Sequence, residues 1–216
     1  MFEQMGSRLF SPLNGTLTVY RHVPTGLQHV HVDCEDVESG FLLDFPTFPA
    51  DDSGVAHILE HLVMCGSARH PVRGLCSALR PRTAASFLNA YTAAHSTMYV
   101  AASPDEEDCL NLFDVLAGAA FDPVLDPLDF LQEGWRLARD SQGRTVLDGV
   151  VFNEMLGLGA DPSFASFEQT ARALELGGNG WSAGGEPAAI PSLTHTDLVR
   201  FHRRHYHPTH ARLFTY

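Results

Sequence analysis

The chain has 216 residues, 44% of them apolar, which suits one domain with a real core and leaves room for a second. Its formal charge is −12, so it lacks the basic balance on which phosphate contacts rest, and nucleic acid is not an expected partner. All 14 basic residues are arginine; without lysine, a P-loop or a Schiff-base mechanism is excluded.

Residues 1–10 show neither the basic nor the apolar region of a secretory signal, and no apolar run reaches membrane-spanning length. The expectation is a soluble protein, cytoplasmic, with no membrane partner. Residues 16–23 and 27–34 alternate partially around Pro24-Thr25-Gly26, which predicts a hairpin. A third strand over 41–45 ends at Pro46 and Pro49. Cys34, Cys65, Cys76 and Cys109 are widely spaced and form no C-x-x-C pair, so they read as free thiols, Cys65 as an inert buried one.

Residues 54–67 then place two imidazoles and a carboxylate at H-x-x-E-H spacing. At about 100° per residue, His57 and His61 lie about 40° apart around a helix and Glu60 about 60° to the other side of His57. All three project from one face. Neutral imidazoles at i and i+4 can share one zinc ion, while a glutamate between them, not itself a ligand, can serve as general base toward water. Five fixed residue types also fit ordinary helix residues in a chain with 12 histidines. A helix is locally plausible: Asp51, Asp52 and Ser53 offer capping oxygens and Gly66 can end it. A hydrolytic site needs a third ligand, and the best distant candidate is Glu154, a lone acid in the apolar run 149–157. There it is expected to be a buried carboxylate that a metal compensates, or else a surface acid on an apolar helix.

Further along, a short helix is predicted over 75–79, and strands over 86–91 and 97–102 with a turn near Ala93-Ala94. Asn89 suits either contact with a substrate carbonyl or turn stabilisation. Acids at 105–108 load a helix start that runs to about 119. Asp126-Pro127 opens a helix through Phe130, Glu133 and Trp135 to Ala138, and Ser141-Gln142-Gly143 turns the chain. Glu133 reads as a surface or capping acid, with support of a metal ligand as the alternative. A helix from about 150 carries Glu154. Helical spacing over 164–176 stops at Gly177-Gly178-Asn179-Gly180, and the glycine-rich stretch to Gly185 has no G-x-G-x-x-G after a strand, so no nucleotide cradle is expected. Thr194 begins a helix to about 205, and His202, His205, His207 and His210 in and after it could attract a metal adventitiously.

From about residue 17 onward the chain resembles the pitrilysin-like metallopeptidases, and within them the presequence protease branch. The resemblance is carried by D-S-G-V-A-H-I-L-E-H at 52–61, C-G-S at 65–67, F-L-N-A-Y-T at 87–92, Q-E-G-W at 132–135, 149–157, G-G-E-P at 184–187, and Phe201-His202 with Tyr206-His207-Pro208. It implies an α+β fold, a mostly antiparallel sheet packed against helices in a two-layer roll. Residues 1–216 would form a single N-terminal zinc-peptidase domain, its last segment 212–216 looking like a strand cut short. The resemblance further implies zinc held by His57, His61 and Glu154, Glu60 as catalytic base, and Asn89, Ala90, Tyr91 and Thr92 on the strand that holds unfolded peptide substrates. Family members close a second homologous half over the zinc, and that half supplies an arginine and a tyrosine to the developing oxyanion.

Two departures bear on substrate fit rather than chemistry. Ala94-His95-Ser96 stands where the branch has an acidic and a basic residue, and Leu156 replaces a lysine beside Glu154. The leading expectation is a zinc metalloendopeptidase domain. The alternative is a catalytically incompetent or peptide-binding half that needs a second half or partner chain, and a scaffold without metal is the third.

Overall fold

Alternation around Pro24-Thr25-Gly26 folds β2 (Gly15–His22) against β3 (Gln28–Asp33) in antiparallel register, with Val19 opposite Val30. Gly26 takes φ 77°, a left-handed conformation that costs glycine little, and its N–H donates to the His22 carbonyl at 2.7 Å. The computed structural model describes residues 1–174 and 180–216; the expected helix stop at Gly177-Gly178-Asn179 lies outside the described residues.

The remaining strands of the main sheet are β1 (Phe2–Phe10), β4 (Ser39–Pro46), β5 (Phe87–Thr92), β6 (Ser96–Ser103) and β9 (Arg212–Thr215). Their order is β1-β2-β3-β9-β4-β6-β5, and every pairing is antiparallel except β3 with β9. The expected antiparallel α+β sheet is therefore present. Strand β6 alternates buried and half-buried residues along its whole length, the pattern of a strand with one face in the core. Residues 212–215 pair on both sides, and Arg212 meets Asp44 of β4 in a 2.6 Å ion pair.

One strand escaped the periodicity. β1 is an edge strand exposed nearly throughout, with a bulge between Gln4 and Gly6, so neither face imposes alternation.

Among the described residues seven α-helices accompany the sheet: α1 (Val55–Val63), α2 (Leu75–Leu79), α3 (Glu106–Phe121), α4 (Pro127–Glu133), α5 (Val150–Gly159), α6 (Pro162–Ala173) and α7 (His195–His205). Phe41, Leu43 and Phe45 of β4, with Tyr99 and Ala101 of β6, face this helical layer. Ile58, Leu59 and Leu62 of α1 are fully buried there, each contributing about 1.5–3 kcal/mol by removal from water. Phe45 stacks on Tyr206 at 4.3 Å, and the Tyr99 and Tyr206 hydroxyls meet at 3.0 Å. The helix that bears the H-x-x-E-H motif is thus clamped between the sheet, α4 and α7.

Two helix boundaries depart from expectation. α4 ends at Glu133 rather than Ala138: the Gly134 N–H closes on the Phe130 carbonyl at 2.9 Å, and 136–139 become β7 (Arg136–Arg139), paired with β8 (Thr145–Asp148). α6 begins earlier than 164 because Asp161 accepts the Ser163 N–H at 2.7 Å and caps it.

Candidate metal centre

Helix α1 starts without a side-chain cap, contrary to the expectation from Asp51, Asp52 and Ser53. Asp51 accepts the Ser53 N–H at 2.9 Å, and Asp52 turns away to Arg172 and to the Ser182 N–H, both at 2.8 Å. The N-cap is Gly54, at φ 69°. A Cβ there would stand 2.7 Å from the Gly184 carbonyl oxygen and 3.0 Å from the Gly185 Cα, so only glycine lets the 182–186 loop lie against the start of α1. That close approach brings the Gly184 carbonyl to 3.3 Å from His57 Nδ1.

The other ligand candidates are arranged around this contact. The His57 and His61 rings are 5.0 Å apart, and their Nε2 atoms lie 3.7 and 3.8 Å from Glu154 Oε2 on α5. Tetrahedral coordination with bonds of about 2.0–2.1 Å separates ligand atoms by about 3.3 Å, so small side-chain shifts would close this triangle on zinc. His61 Nδ1 is 3.1 Å from Glu133 Oε2 on α4. With both Nδ1 atoms facing oxygen acceptors, each ring is set to carry its proton there and leave the Nε2 lone pair free for a metal. The donor set fits zinc. Among the described residues these three are the group of histidine, cysteine or acid side chains with ligand atoms within 4.8 Å of one another.

Glu154 differs from expectation in its burial. Its side chain is 45% exposed because it lines a cavity, while Val151, Phe152 and Met155 take the buried side of α5. Glu133 differs too. It is not a surface acid: its side chain is 14% exposed and engages His61. His202 and His205 face the Ala120 and Pro46 carbonyls, and His207 the Thr209 hydroxyl.

Glu60 is buried on the same face of α1, and the Thr92 hydroxyl donates to its Oε2 at 2.6 Å. Burial raises the Glu60 carboxyl above its ordinary value, opposed by the Thr92 hydrogen bond and the nearby His61. Burial lowers His57, with His61 adding to the effect. Burial also pulls His61 down, but the Glu133 hydrogen bond and the carboxylates of Glu60, Glu133 and Glu154 more than offset it, so this imidazole is raised. Cys65, expected to be buried, is half-buried, and burial, with Glu133 and Asp129 nearby, pushes its thiol up to about 12.

These side chains open onto a cavity of about 720 Å³ bounded on one side by β5. β5 ends the sheet, so among the described residues no strand pairs with its outer edge, and Asn89, Ala90, Tyr91 and Thr92 all line the cavity. The adjoining turn is closed by the Ala93 N–H on the Ser96 carbonyl at 2.8 Å, without Asn89. Thr92 points to Glu60, a contact with no local signal in sequence because the two residues lie 32 apart.

Residues 48–143 match the family described as insulinase, peptidase family M16. The chain is 39% identical over 220 residues to the mitochondrial presequence protease of Schizosaccharomyces pombe, covering 100% of this chain and 22% of that protein. It is 43% identical over 201 residues to the mitochondrial presequence protease of Danio rerio, covering 90% of this chain and 20% of that protein. The chain thus spans about a fifth of the curated relatives it matches. Among solved structures, pitrilysin superposes with a TM-score of 0.71 at 19% identity over 100% of this chain and 22% of its own. A protease from Helicobacter pylori gives 0.71 at 19% identity over 89% of this chain and 44% of its own. At that identity the two structures speak for the fold alone. The mitochondrial names of the relatives do not fit the cytoplasmic expectation, and no described helix is long and apolar enough to cross a membrane. By sequence, the chain belongs to the insulinase family of peptidases, M16, and the curated relatives it matches are presequence proteases.

Proposed function

We propose that this chain is the N-terminal catalytic domain of a zinc metalloendopeptidase that cuts unfolded peptides, with His57, His61 and Glu154 as zinc ligands and Glu60 as general base. The observation that carries the reading is the position of Glu60, one residue before His61 on α1, beside three convergent ligand atoms and under the open edge of β5.

When bound, zinc polarises the scissile carbonyl and acidifies water at its open position. The chain's own residues do the rest. Glu60 takes a proton from water and returns one to the leaving amine. Thr92 fixes which carboxylate oxygen is engaged and leaves the other free. An extended peptide adds to the edge of β5 through backbone hydrogen bonds, which tolerates many side chains but requires an unfolded segment. Asn89 to Thr92 lie along that edge, and Asn89 offers its amide to a substrate carbonyl. The partners are therefore unfolded peptides and a second homologous half, in the same longer chain or another, and the compartment follows the mitochondrial relatives.

The test is elemental analysis of the purified chain, expected to give one zinc per chain, together with cleavage of an unstructured peptide by the longer protein that contains it. Absence of zinc overturns the metal reading. Zinc without cleavage by the longer protein leaves a peptide-binding half, the second reading.

A further inference from the structure

We propose that Thr97 is a positioning residue for the catalytic base: from behind Thr92 it keeps the Thr92 hydroxyl turned toward Glu60, so that one carboxylate oxygen is pinned and the other is left to the cavity. The proposal rests on the reading of Glu60 as the base.

Three observations carry it. First, the contact of Thr92 with Glu60 is the open end of a larger hydroxyl cluster. Thr92 Oγ1 lies 3.5 Å from Thr97 Oγ1, which lies 2.9 Å from Thr47 Oγ1, and the Tyr206 hydroxyl, 3.0 Å from that of Tyr99, engages Thr97 as well. Thr47, Thr97 and Tyr99 are fully buried and Tyr206 nearly so. Of the five, only Thr92 lines the cavity, so Thr97 does not meet substrate and acts through Thr92. Second, the carboxylate sets the direction of the hydrogen bonds. A hydroxyl has one proton to donate and two lone pairs with which to accept. With Glu60 ionised, as a base must be, Thr92 gives it that proton at 2.6 Å, and a bond between Thr92 and Thr97 must be donated by Thr97. Toward Thr47 the Thr97 hydroxyl can then only accept. One donor after another points at Glu60, and each polarises the next.

Third, packing alone does not ask for these hydroxyls, and the backbone holds them in place. A buried hydroxyl costs free energy unless it is paired, and an apolar pair of the same shape can be nearly as stable, so valines at 47 and 97 would fill this space equally well. What valines would lack is the orientation toward Glu60. The frame is fixed on both sides: Thr92 and Thr97 face each other across β5 and β6 at the pair nearest the turn, where the Ala93 N–H donates to the Ser96 carbonyl at 2.8 Å. The Thr47 N–H donates to the His95 carbonyl in the same turn, also at 2.8 Å. One turn thus gathers all three threonines behind the base.

The experiment measures kcat and KM on an unstructured peptide in the longer enzyme, with zinc content and melting temperature, for the parent, Thr97→Val, Thr97→Ser, Thr92→Val, the double variant of Thr92→Val with Thr97→Val, and Ser103→Ala. In Thr97→Val kcat is expected to fall about 3–10-fold with KM and zinc content unchanged, and Thr97→Ser, which keeps the hydroxyl, should restore most of the loss. In the double variant Thr97→Val should add nothing to Thr92→Val, because its effect passes through Thr92. Ser103 is the control: it is fully buried at the other end of β6 and donates to Asp108 at 2.8 Å, so Ser103→Ala should lower the melting temperature and leave kcat alone. If Thr97→Val fails to fold, Thr47→Val, which removes the donor behind Thr97, decides by the same loss of kcat. Parent-like kcat in the folded variant, additive losses in the double variant, or an equal loss in Ser103→Ala overturns this proposal alone. Parent-like turnover by Glu60→Gln overturns the base reading and this proposal with it.

Discussion

The Thr92 hydroxyl donates to Glu60 Oε2 at 2.6 Å and ties the edge strand β5 to the helix that carries both histidines. The strand proposed to hold the peptide and the carboxylate proposed to act on it are therefore one mechanical unit.

Thr92→Val tests that link. The hydrogen bond favours the charged carboxylate, so its removal moves the Glu60 carboxyl further up from its already raised position. The acidic limb of kcat/KM in the longer enzyme is expected to shift to higher pH, with zinc content unchanged. An unmoved limb would separate Thr92 from the base.

Glu60→Gln separates chemistry from folding. The amide is nearly isosteric but cannot accept the proton, so turnover should fall about 10²–10⁴-fold while zinc is kept. The stability effect has a definite sign. A carboxyl whose folded affinity for protons is raised contributes stability at pH below its unfolded value, and that contribution is lost as pH rises through the folded one. The metal-free Gln variant should therefore melt at or above the parent at pH 7. A lower melting temperature would mean that the charged form is held by more than Thr92 and His61.

Much of this site was legible in the sequence because its signals are local. His57, Glu60 and His61 share one helical face, and Pro24-Thr25-Gly26 supplies its own turn chemistry. What stayed hidden depends on partners distant in the chain. Glu133 reads as a surface acid until α4 is seen against His61, 72 residues away in sequence, and Asp52 reads as a cap until it is seen on Arg172, 120 residues away. β1 hid for another reason: an edge strand exposed on both faces has no periodicity to read. Glu154 was found as a lone acid in an apolar run, but its exposure follows from the cavity and not from the run.

Metal removal gives a third expectation. An ion that binds the folded chain alone stabilises it by mass action, about 2.7 kcal/mol at a free concentration 100 times Kd. Zinc is therefore expected to raise the melting temperature of the parent by several degrees, and chelator to reverse the rise. His57→Ala, His61→Ala and Glu154→Ala should show little response to zinc. A parent-sized response in Glu154→Ala would remove that residue from the ligand set and leave the two histidines as a weaker site.

The fourth expectation is that the 216 residues alone bind zinc but hydrolyse peptides poorly. The cavity is walled by this chain on the side of α1, β5, α5 and α6, and the chain spans about a fifth of its curated relatives. The family resemblance assigns an arginine and a tyrosine for the developing oxyanion to a second half, and no motif here matches them. Losing one oxyanion donor costs about 2.7–4 kcal/mol, or roughly 10²–10³ in rate, and losing two costs more. An open site also admits bulk water, in which each charge interaction is weaker than in a closed chamber. Peptide should still dock along the edge of β5, so weak binding without turnover is the expected pattern. The measurement is cleavage of an unstructured peptide by the zinc-loaded chain, alone and joined to the remainder of the longer protein. Full turnover by the isolated chain, abolished by Glu60→Gln, would show that the groups seen around α1 suffice without a second half.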